Sequence, residues 1–165
     1  SFAIEFANLW TYEAGSSDER LPLNQLSESG NHIHGLLQIK INGNLLPRLG
    51  FFGPDDVCFN EWVFELRSAL RELRGSTSTS YIYDEGEQGQ PAFLFERDDD
   101  VAFVSIVASQ LSDAEADPEW QRVQFSFSEF EREVEDFLSR LRGHIEIESS
   151  EFGERWWAQV TERAE

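Results

Sequence analysis

The chain has 165 residues, with 14 Phe and 5 Trp in an otherwise ordinary apolar content, and 32 acidic against 13 basic side chains, a net charge of −19. Its length fits one domain, 1–165, able to bury roughly two-thirds of its unfolded surface, and the regular spacing of bulky residues excludes a disordered chain. The charge disfavours direct attraction to nucleic acid or an anionic membrane, while it aids solubility and steers encounters with cationic partners.

In chain order, Phe2, Ile4 and Phe6 alternate with Ala3, Glu5 and Ala7, the period of a half-buried strand over 2–12. Gly, Ser, Pro and charge then gather over 13–31, which reads as a long surface loop with one turn of helix. In HIHGLLQIKI the residues Ile33, Leu37, Ile39 and Ile41 point inward and His34, Gln38 and Lys40 outward. Asn42-Gly43 supplies the left-handed conformations of a tight hairpin turn, and Leu45 and Leu46 begin a short return strand that Pro47 interrupts.

A helix follows over 53–75, with Asp55 or Asp56 as its cap, Gly75 as its stop, and Phe59, Trp62, Val63, Leu66, Leu70 and Leu73 as its apolar stripe. SYIYDE, PAFLFER and VAFVSIVAS read as three strands, the last apolar on both faces. After an acidic loop, WQRVQFSF is a further strand. Ser128 and Glu131 have capping-box spacing at the head of a second helix, with Gly143 as its stop and HIEIESS as a short edge strand beyond. In a final helix Trp156 and Trp157 point about 100° apart, so one is expected in the core and the other at the surface or an interface. Strands, helix, strands and two helices, without regular βαβ alternation, predict an α+β fold: an antiparallel sheet of about five to seven strands with helices packed mainly on one face.

Motifs for chemistry are few. The run Asp98, Asp99, Asp100 lies between two predicted strands, where Asp suits a turn; a calcium loop needs further oxygen ligands at defined spacing and usually a Gly at its bend. His32 and His34 stand at i and i+2 on a strand, so they share a face as metal-binding strands require. Gln38 and Lys40 occupy the neighbourhood where a third ligand would follow, and that face is the polar one. Cys58 is the only cysteine and, among Val57, Phe59 and Trp62, reads as a small core residue. No G-x-S-x-G, P-loop or G-x-G-x-x-G occurs. Neither a metal nor a cofactor is expected, and the chain does not read as an enzyme. The opening SFAIEFANLW lacks a basic n-region and a long apolar h-region, and no later run approaches a membrane span, so the expected location is cytoplasmic.

Charge is more informative. Residues 84–154 hold 20 acidic and 5 basic side chains, whereas 1–83 hold 10 and 6. Arg67, Arg71 and Arg74 form a ridge on the first helix, which either neutralises acids within the molecule or marks a separate contact surface. FNEWVFELRSALRELRG, then YDEGEQGQPAFLFERDDDVAFVSI, then FSEFEREVEDFLSRLR resembles small bacterial immunity-type proteins that accompany polymorphic or contact-dependent toxins, over roughly 59–142. That resemblance implies a single-domain inhibitor that binds its toxin noncovalently, with no catalytic residues.

The resulting expectation is an acidic inhibitor that occludes a basic partner protein, such as a nuclease toxin. Its contact residues would be Asp84, Glu85, Glu87, Asp98, Asp99, Asp100, Asp113, Glu115 and Asp117. Two other readings stand beside it: a structural or regulatory domain whose acidity serves solubility, and an enzyme using a carboxylate site or the His32/His34 pair.

Overall fold

A computed structural model describes residues 1–12, 19–28 and 32–163, without the side chain of Glu87. The alternation at the start forms β1 (Phe2–Thr11), which pairs antiparallel with β3 (Ile33–Ile41). A short β2 (Leu21–Pro22) flanks β1. The other edge of β3 takes β4 (Asn44–Leu45) at one end and β5 (Val57–Cys58) at the other. Asn42 and Gly43 have φ of 53° and 85°, the left-handed pair the tight turn needs. Helix α1 (Phe59–Arg74) leads to a second antiparallel sheet in sequence order: β6 (Ser78–Tyr83), β7 (Ala92–Asp98), β8 (Val101–Val107) and β9 (Val123–Ser126). Two helices close the chain, α2 (Phe127–Glu148) and α3 (Gly153–Thr161).

The fold is α+β, as its element order predicts, but among the described residues the strands divide between two sheets, of five and four strands, in place of one. The sheets share a core, because apolar side chains of both, and of all three helices, form one buried cluster. Phe2 of β1 meets Phe125 of β9 at 4.9 Å between ring centroids, and Phe130 of α2 lies against Phe2, Phe125 and Phe95. Aromatic pairs at such distances add about 0.5–1.5 kcal/mol beyond their buried area. Leu23 and Leu26, in the segment read as surface loop, also enter the core, since a 3₁₀ turn at Leu23–Gln25 stacks positions three apart. The rest of that loop's centre, 13–18 and 29–31, lies outside the described residues.

Several helix boundaries differ from the sequence expectation. Neither Asp55 nor Asp56 caps α1; Val57 and Cys58 first pair with Gly35 and His34, so the helix starts only at Phe59. Ser126, not Ser128, caps α2, accepting a hydrogen bond from the Glu129 amide at 3.3 Å. α2 runs through Gly143 to Glu148, and the HIEIE alternation that resembles a strand is its last turns. Ile145 is buried there and Ile147 is 80% exposed. Both Trp156 and Trp157 are buried, because α3 packs against α1 as well as α2 and so covers two of its faces. Among the described residues no helix is long and apolar enough to cross a membrane.

Candidate functional site

β3 carries the core on one face and a polar cluster on the other. Ile33, Gly35, Leu37, Ile39 and Ile41 are buried, which leaves His34 on the opposite face with its i−2 neighbour His32. Cross-strand pairing completes the group: His34 stands opposite Trp10 of β1 on one side and Cys58 of β5 on the other. Trp10 reaches this register through a bulge, since Ala7 pairs with Leu36 and Trp10 with His34, leaving one extra residue in β1. The bulge needs a glycine opposite. A Cβ on Gly35 would lie 2.7 Å from Leu9 Cδ2 and 3.1 Å from both the Ala7 carbonyl oxygen and Leu9 Cα.

One coordinating atom from each of His32, His34 and Cys58 falls within 4.8 Å of the others, and Cys58 Sγ is 4.0 Å from His32 Nδ1. His34 Nδ1 is 2.6 Å from Asp56 Oδ1, which fixes the ring. Its Nε2 is buried, and is the sole buried side-chain polar atom without a hydrogen-bond partner among the described residues. Trp10 and Tyr12 flank the imidazoles at 4.9 and 5.5 Å from the His34 ring. Burial pushes the Cys58 thiol up to about 11. Lost hydration and the neighbouring His34 hold His32 below the ordinary imidazole range. A neutral thiol beside a neutral imidazole is the reverse of the thiolate–imidazolium pair that nucleophilic cysteines use.

Tyr12, His32, His34, Asp56 and Cys58 line a cleft of about 420 Å³. Trp62 forms part of its wall and donates from Nε1 to the Leu49 carbonyl at 2.8 Å, tying the 48–52 segment to α1. Phe51 and Phe52, packed edge to face, are 54% and 68% exposed. The facing wall comes from 83–91. There Tyr83 donates to Glu85 at 2.8 Å, and burial with the adjacent carboxylate raises its phenol far above the usual value.

The nine acids singled out from sequence do not converge on one patch. Asp84, Glu85, Asp113, Glu115 and Asp117 belong to the cleft end of the second sheet, where the 109–114 loop packs on 84–90 through Asp84, Gly86 and Gln90. Glu87 sits in the same segment, its side chain outside the description. Asp84 accepts from Ser109 Oγ and the Gln110 amide at 2.7 and 2.8 Å, and Asp117 from the Glu119 amide at 2.9 Å, so both shape loops. Glu85, Asp113 and Glu115 are exposed. Asp98, Asp99 and Asp100 lie at the other end of β7, roughly 20 Å away by strand rise. They form an exposed hairpin turn, with Asp99 at φ 55° and backbone bonds to Thr77 and Phe127.

The arginine ridge is partly spent inside the molecule. Arg74 pairs with Glu131 and Glu135 of α2, and Arg67 donates to the Thr161 carbonyl. Arg163, from the C-terminal side, pairs with Glu61. Sequence reasoning missed the exposed phenylalanine pair, the role of Asp56, and the union of Cys58 with the histidines. A two-residue strand such as β5 has no periodicity to reveal it, whereas FF between two glycines is a visible apolar signal. No family model, curated protein or solved structure matches the chain.

Proposed function

We propose that the protein is a noncovalent inhibitor of immunity type, which captures a basic partner protein at its cleft end and acts by occlusion. The observation that carries this reading is the joining of exposed aromatics to exposed acids. Phe51 and Phe52 stand on a cleft whose other wall bears Glu85, beside a loop bearing Asp113 and Glu115. Desolvated aromatic anchors surrounded by a polar rim are the usual anatomy of a protein-binding surface. In a chain of net charge −19 the complementary partner is cationic, as a nuclease toxin is. The Asp98–Asp100 turn contributes to the long-range field that steers approach.

The test is co-expression with a basic toxin domain, taken from a neighbouring gene where one encodes it, followed by association kinetics at low and high salt. A complex whose association slows steeply with salt, and which dissociates faster after Phe52→Ala, supports the reading. Absence of a complex at low salt, or one indifferent to both salt and Phe52, overturns it.

A further inference from the structure

We propose that His32, His34 and Cys58 form a three-ligand site for a borderline divalent cation of zinc type, with its fourth position open to the cleft. The proposal does not depend on the inhibitor reading.

Four observations carry it. Three donors of two types, imidazole and thiol, converge from β5, β3 and the residue just before β3, their coordinating atoms within 4.8 Å of one another. Ligands of a tetrahedral zinc site, at about 2.0–2.3 Å from the metal, stand about 3.5 Å apart, so side-chain rotations of about 1 Å close the set. Second, Asp56 holds His34 by Nδ1, the carboxylate–histidine arrangement that fixes the tautomer of a ligating imidazole. Third, the nitrogen this leaves, Nε2, is buried and unpartnered. Such an atom carries a desolvation cost that a coordinated cation removes. Fourth, the adjoining cleft of about 420 Å³ leaves room for water or another donor at the remaining position.

The donor set selects the metal. One thiolate and two imidazoles are too soft for calcium or magnesium, which take oxygen ligands. Two imidazoles and one thiolate are also the trigonal set of type-1 copper, whose weak axial ligand is Met, Gln or a backbone oxygen. The chain contains no methionine, and the metal titration includes Cu²⁺ as the competing ion. Zinc suits a four-coordinate site of this composition without further requirements. On binding, Cys58 coordinates as thiolate and its proton passes to solvent; no electron is transferred.

The full chain, stripped with chelator, is titrated with Co²⁺ and then with Zn²⁺, and separately with Cu²⁺ as the competing ion. The expected result is one cobalt per chain, with intense visible bands of four-coordinate cobalt and a near-ultraviolet thiolate-to-cobalt absorption, both abolished by Zn²⁺. Cys58→Ser removes the near-ultraviolet band, His34→Gln and the more exposed His32→Gln weaken binding, and Asp56→Asn weakens it about 10–100-fold. Circular dichroism shows which variants remain folded, and His32→Gln carries the test if a buried substitution does not. Absence of the thiolate band in the wild type, or cobalt affinity unchanged in Cys58→Ser and His32→Gln, overturns the site and assigns binding to surface carboxylates.

Discussion

The two ends of the second sheet are both acidic, yet they differ in what the acids adjoin. At the β7–β8 turn, Asp98, Asp99 and Asp100 are exposed on a short hairpin whose order comes from backbone hydrogen bonds. At the opposite end, Asp84 is bonded into a loop junction, and Glu85 borders a cleft with exposed phenylalanines and an imidazole–thiol cluster. The two ends therefore share their charge and differ in the chemistry beside it.

The largest effect is expected from the wall of the cleft. Trp62→Ala removes a side chain that is 1% exposed and frees the 48–52 segment, and should cost about 3–5 kcal/mol in denaturant unfolding. Gly35→Ala presses a methyl into the β1 bulge and should cost about 1–3 kcal/mol, with Leu9 and Trp10 displaced in chemical-shift maps. Asp84→Ala takes the acceptor from the part-buried Ser109 hydroxyl, while the exposed Gln110 amide turns to water, a loss of about 1 kcal/mol. Asp98→Asn and Asp100→Asn at the other end should each stay within about 0.5 kcal/mol. Equal costs at the two ends would erase the distinction between a wired acid and a solvated one.

The smallest effect is a pH dependence. Burial raises the Glu65 carboxyl above its ordinary value, although Tyr81 donates to it. The folded state therefore holds this proton more tightly than the unfolded chain. Stability from Glu65 is present below its unfolded pKa and is lost as pH rises through the folded value. Glu65→Gln should flatten the wild-type decline over that interval; an unchanged slope would show that Glu65 does not contribute.

Much of the fold was legible in the sequence because period and turn chemistry agree. Alternation marked β1 and β3, Asn42-Gly43 marked the hairpin turn from β3 to β4, and the Trp62 stripe marked α1. Failures arose where packing outweighs local signals. Gly143 lies in a helix whose next turn buries Ile145, and α3 covers both Trp156 and Trp157. Division into two sheets depends on which strands pair at long range, which period cannot encode. For the site, HIH was visible and its shared face correct. Cys58 looked like a core residue because its apolar neighbours are in the core. Only pairing of β5 with β3 turns it toward His34.

The most direct test of the central claim is to compare charge reversals at the two ends in partner association. Glu85→Lys with Glu115→Lys at the cleft should slow association roughly tenfold at low salt and shorten the lifetime of the complex. Asp98→Lys with Asp100→Lys should slow association less and leave dissociation unchanged. A hairpin reversal that accelerates dissociation while the cleft reversal leaves it untouched would contradict the account.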